Sequence, residues 1–181
     1  MVRPLLCIVV LASCGVSSKG EMGDPGAMGS QGPPGPPGPG QMVQEVLGSG
    51  QLVVTSATTA FTLIPGLTTI VNVPAGAVLN VHTDGGLQCT AVGNAFSVVD
   101  IAIYIDSLQT TAVRRVVAAN TAGIAQMISN WSIGRTFQVT PGSHLVEVRA
   151  QYGAPGASDA NVSSASAPQL QGVLTATMLM P

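Results

Sequence analysis

Glycine recurs at every third position from 20 to 38, at Gly20, Gly23, Gly26, Gly29, Gly32, Gly35 and Gly38. At a general glycine usage of ~7%, such a run in phase arises by chance on the order of once in 10⁸ starts. Pro25, Pro33, Pro34, Pro36, Pro37 and Pro39 fill positions between the glycines. A lone chain has no use for this phasing. Three extended chains wound about one axis do, because only a hydrogen side chain fits where they meet. The segment therefore implies a homotrimer.

Residues 20–40 form the stalk, which ends where Gly40 falls out of phase. Fully wound, at ~3 Å per residue, it would reach roughly 60 Å. Its early triplets, such as Gly20-Glu21-Met22 and Gly26-Ala27-Met28, are poor in proline. Gly32-Pro33-Pro34 and Gly35-Pro36-Pro37 are rich in it, and proline sets φ in advance for an extended chain. So short a stalk is marginal alone. A trimerising domain after it would raise the local concentration of the proline-rich triplets and let winding proceed toward the N-terminus.

Ahead of the stalk, Arg3 and the apolar run from Leu5 to Ala12 have the form of a secretion signal over residues 1–13. Leu11-Ala12-Ser13-Cys14 resembles a bacterial lipobox, with an aliphatic residue and two small ones before the cysteine. The resemblance implies cleavage after Ser13, a lipid on the Cys14 thiol and a membrane anchor. The alternative is an ordinary signal cut near Ser17 or Ser18. Residues 14–19 make a short tether. With Cys7 and Cys14 so assigned, Cys89 stands alone, expected as a buried thiol with no disulfide framework.

Residues 41–50 read as a neck, in which Val43, Val46 and Leu47 fit either a helical turn or a first strand. From 51 to 181, Val/Ile/Thr-rich runs alternate with turn signals about every ten residues, the pattern of an all-β head. Strands are expected near 51–55, 60–64, 68–73, 77–83, 87–92, 97–105, 112–118, 124–132, 136–140, 144–151 and 170–179. Asp84-Gly85-Gly86 reads as a hairpin turn, because glycine tolerates φ > 0. Pro65-Gly66 and Pro141-Gly142 mark further turns. Ile101, Ile103 and Ile105 alternate with Asp100, Ala102, Tyr104 and Asp106, as in a half-buried strand. The polar, small-residue stretch 153–168 reads as a mobile loop.

A glycine-phased stalk joined to a β-sandwich of this size resembles the C1q/TNF-like jelly-roll trimers in layout. The aromatic-rich strand signatures of C1q heads are missing. With the lipobox-like Cys14 included, the whole chain resembles bacterial collagen-like surface lipoproteins. That resemblance implies an all-β, jelly-roll-like β-sandwich head on a collagen-like stalk behind a signal peptide. It further implies a non-enzymatic structural or adhesive protein, lipid-anchored at the outer surface of the cell envelope. A soluble C1q-like recognition module, exported without an anchor, is the alternative.

The composition narrows the chemistry. Only 8% of residues are charged, the net charge is −2, and Arg114-Arg115 is the sole basic pair. Nucleic acid is not expected as a partner without a basic face. No nucleophile elbow, zinc-binding His-Glu-x-x-His or phosphate loop occurs. No cofactor or metal is expected. His82 and Asp84, two apart, share a strand face; His144 follows a turn whose backbone it can bond. Asp84, Asp100, Asp106 and Asp159 are scattered rather than gathered in the dense acidic loop that calcium favours. A hydrolase would have to improvise a site from His82, His144 and nearby acids. Arg114 and Arg115 place one guanidinium on each strand face, and Asp100 or Glu147 could pair with one of them. Trp131 reads as a core anchor.

Overall fold

The computed structural model describes residues 41–124 and 126–180. The signal segment, Cys14 and the stalk glycines Gly20 to Gly38 lie outside the described residues. Ten strands form: β1 Gln41–Leu47, β2 Leu52–Val54, β3 Thr62–Val73, β4 Val78–Cys89 and β5 Ala95–Ile105. They continue with β6 Leu108–Asn120, β7 Ile128–Phe137, β8 Gly142–Tyr152, β9 Ala160–Val162 and β10 Val173–Leu179. The alternative of a first strand is thus the one realised at 41–47, and the strand expected at 112–118 forms within β6.

One sheet runs β3-β8-β5-β6, and the other runs β1-β10-β4 with β7 on the far edge of β4. The short strands β9 and β2 extend the second sheet beyond the end of β10, where β9 takes over pairing with β4. Without that short pair, the sheets are the four-stranded β1-β10-β4-β7 and β3-β8-β5-β6 layers of a jelly roll. Every named pairing is antiparallel. The all-β sandwich expected from the sequence is what forms.

Alternation builds the core. Leu79 and Val81 on β4, Ile101 and Ile103 on β5, Val146 and Val148 on β8, and Leu174 on β10 point between the sheets and are fully buried. Cys89 is buried among them as a free thiol. The outer face of β5 is buried as well, contrary to a half-exposed strand. Tyr104 lies beneath the Arg149 guanidinium, 4.5 Å from the ring centroid, and Phe61 packs edge-on against the same ring. Long side chains of neighbouring strands roof this face although no further layer covers it.

Two turn assignments need correction. Pro65-Gly66 does not separate two strands; it forms a bulge inside β3, where pairing with β8 shifts between Leu63 and Thr68. Gly66 there has a φ of 84°, a conformation that favours glycine. Asp84-Gly85-Gly86 is not a hairpin either, because β4 runs straight through it and pairs with β7 on the way. The glycines serve a close approach instead. A Cβ on Gly85 would collide with the Trp131 indole and lie 2.8 Å from the Gly172 Cα. The indole fills the space that the missing side chain leaves and donates from Nε1 to Thr83 Oγ1 at 3.3 Å. The tight hairpin that does occur is Asp106-Ser107 between β5 and β6, with φ values of 51° and 66°.

Segment 153–168, expected to be mobile, is tied down. Ser158 N–H donates to Phe96 O at 2.8 Å, Thr90 N–H to Asp159 O at 3.1 Å, and Tyr152 Oη to Ala157 O at 2.6 Å. Strand β9 lies inside it, and Ala160 and Val162 enter the core. Small residues are needed there because the segment is packed, not because it is free.

The Gly85 approach yields a prediction. Gly85→Ala should lower unfolding stability by about 3 kcal/mol through overpacking against Trp131. Gly123→Ala, where no atom crowds the added Cβ and φ is not left-handed, is the control and should change stability far less. Urea unfolding of both variants measures the difference.

Candidate functional site

The two histidines lie in different sheets. His82 on β4 faces Asp84, Nδ1 to Oδ2 at 3.6 Å, and its Nε2 is 3.2 Å from Ser132 Oγ. Both side chains are about half exposed, an open polar pair in mid-strand rather than at a hairpin end. His144 on β8 meets Asp106 instead, from the β5–β6 turn, Nδ1 to Oδ2 at 2.7 Å. Its Nε2 is 2.7 Å from the Thr140 carbonyl, so the expected bond to turn backbone forms. The convergence that a site built on both histidines requires is absent. Among the described residues no three His, Cys, Asp or Glu side chains group as metal ligands.

Both ring nitrogens of His144 thus face acceptors, an arrangement that only the doubly protonated imidazolium satisfies. The Asp106 carboxylate, then the Thr140 carbonyl, hold the His144 pKa above its ordinary value of 6.5. Hydrogen bonds from His144 and from the Leu145 N–H hold Asp106 below its ordinary 3.8. The raised histidine contributes stability that is complete below about pH 6.5 and lost as pH rises through its folded value. The lowered aspartate contributes above about pH 3.8, and that part is lost as pH falls through its folded value. The pair therefore contributes most between pH 4 and 6.5. His144→Gln should cost more stability at pH 5.5 than at pH 9, read by urea unfolding at each pH.

Four charged groups of the sheet that carries His144, namely Asp100, Arg115, Glu147 and Arg149, lie on its outer face. Asp100 and Arg115 stand directly opposite each other on β5 and β6 and form a bidentate pair, with both N–O distances 2.8 Å. The aspartate raises the Arg115 pKa further. Glu147 pairs instead with Arg149, two residues along β8, at 2.7 Å. Of the two partners open to the arginine pair in the sequence, Asp100 is the one used. Asp159 offers only its backbone carbonyl, to Thr90 and Ser97.

A concavity lies along the open side of the sandwich, where the edge strands β6 and β7 face each other from opposite sheets. The strands are stitched together at one end. Ser129 Oγ donates to Val117 O at 2.7 Å, and Met127 N–H donates to Asn120 Oδ1 at 3.0 Å. Beyond these bonds lies a cleft of about 580 Å³, walled by Arg114 to Val117 and by Ser129 to Ser132. A smaller recess of about 190 Å³ shares Arg114 and includes Arg135. Alternation gives Arg114 the inward register of Ala112 and Val116, and Arg135 that of Trp131 and Ile133. Neither has an ion pair or side-chain hydrogen bond among the described residues, and no carboxylate lines either hollow. Arg114 was singled out by the sequence; Arg135 and the facing of the two were not.

No protein-family model matches the chain, and no curated protein matches it in sequence. Among solved structures, a protein of the infectious bursal disease virus T13 particle is 13% identical over 77% of this chain, with a TM-score of 0.38. This chain spans 36% of that protein's length. A cyanophage Pam1 capsid protein is 17% identical over 87% of this chain and 99% of its own, with a TM-score of 0.37.

Proposed function

We propose that this chain is a non-enzymatic, collagen-like homotrimer that displays a jelly-roll head from the outer surface of a bacterial cell envelope. Lipid on Cys14 anchors it, and the Gly20–Gly38 stalk carries the head outward. The three heads then offer a repeated surface for adhesion. The observation that carries this reading is the junction between stalk and head. The last in-phase glycine, Gly38, stands just before Gln41, where β1 begins. At ~3.5 Å per residue, three intervening steps reach only about 10 Å. Three chains wound together as far as Gly38 would hold their β1 strands near one another.

Strand β1 suits that position. It is an edge strand, and its Met42, Val43 and Leu47 are each more than half exposed. Apolar side chains on an open edge are a liability for a monomer and a contact surface for an assembly.

Sedimentation equilibrium on residues 20–181 and 41–181 tests the trimer. Three times the monomer mass is expected for both, the head driving assembly, and monomers in both cases overturn it. Val43→Glu should weaken association of 41–181 by tenfold or more. Mass spectrometry of the mature N-terminus separates the anchored form, with lipid on Cys14, from a soluble C1q-like module cut near Ser17.

A further inference from the structure

We propose that the cleft between β6 and β7 binds an acidic saccharide, its anionic group held between the Arg114 and Arg135 guanidiniums. The site lies within one head and does not depend on three chains associating. Among the described residues the only lysines or arginines are four arginines, and Arg149 and Arg115 are engaged with Glu147 and Asp100, as His144 and His82 are with Asp106 and Asp84. The remaining two carry the inward register of facing edge strands; both line the smaller recess, and Arg114 also lines the larger cleft beside it. Like charges lining one recess without a carboxylate among its walls repel, and an oxyanion accepting from both removes that repulsion.

The hollow is too large for a bare inorganic anion. At about 580 Å³ its main part has the size of an organic ligand site. Its lining mixes polar and apolar groups: the exposed Asn130 offers an amide and the half-exposed Val117 an apolar surface, while the Ser129 hydroxyl already donates to the Val117 carbonyl and the Ser132 hydroxyl lies against His82. Asp84, opposite Ser132 on the outer face of β4, lies outside the lining and keeps His82 as its partner. Inward charges on edge strands also discourage sheet-to-sheet pairing between molecules. That role needs no ligand, and the experiment separates the two.

Isothermal titration calorimetry on the full chain uses four probes: a uronate-containing disaccharide, a sulfated disaccharide, a neutral disaccharide and inorganic sulfate. Saturable binding of one acidic disaccharide, at least tenfold tighter than the neutral one and than inorganic sulfate, is expected. Whether the uronate or the sulfate ester binds identifies the acidic group. Arg114→Gln and Arg135→Gln should each weaken it tenfold or more, and Arg114→Lys less, because lysine keeps the charge and loses the fork. All three variants should retain the wild-type unfolding transition, since both side chains lie at the solvent-open edge. Failure of both acidic disaccharides to bind overturns the proposal, as does binding of inorganic sulfate alone or binding that survives both glutamine variants. Self-association of the glutamine variants without saccharide binding by the parent chain would assign the arginines to edge protection.

Discussion

Strand β4 holds the larger sheet together, and it can do so only because glycine at 85 lets an indole lie flat against its backbone. One edge of β4 pairs first with β10 and then with β9, while the other pairs with β7 along nearly its whole length. A turn at Asp84-Gly85-Gly86 would split that strand and leave β7 and β9 without a common partner. Trp131 sits on β7 directly opposite Gly85 and takes up the volume that a side chain would have filled. Its N–H reaches Thr83 Oγ1, which in turn donates to the Val173 carbonyl at 2.8 Å. The three strands β4, β7 and β10 are thus linked through one buried polar chain as well as through their backbones.

How much of this was legible in the sequence depended on whether the cause was local. Alternation of Ile101, Ile103 and Ile105 with polar neighbours is written into consecutive residues, and the strand follows from it. Asp84-Gly85-Gly86 misleads because a local turn signal and a non-local demand for space use the same residue. Nothing near Gly85 announces Trp131. Conversely, Asp106-Ser107 makes a tight hairpin with no glycine in it. The Asp106 carboxylate supports that turn by accepting from the Leu145 N–H at 2.9 Å, a partner on β8 rather than within the turn.

The cleft was legible only in part. Arg114-Arg115 stood out as a basic pair, and the split of the two guanidiniums between strand faces followed from strand periodicity. Asp100 as the partner of Arg115 followed once β5 and β6 were adjacent. The role of Arg135 depends on β6 and β7 facing each other from different sheets, which no spacing in the sequence encodes. Charge placement in this head is sparing, and each carboxylate other than Glu45 and Asp159 has a basic or histidine partner. Against that economy, two arginines without partners on one rim stand out.

The pairing of β1 with β10 joins the beginning of the described chain to its end. During synthesis β1 emerges first and waits, with no neighbour in its sheet, until residues 173–179 leave the ribosome. Strand β1 therefore completes its ladder only once β10 has been made, so among the described strands the first to be translated is among the last to be paired.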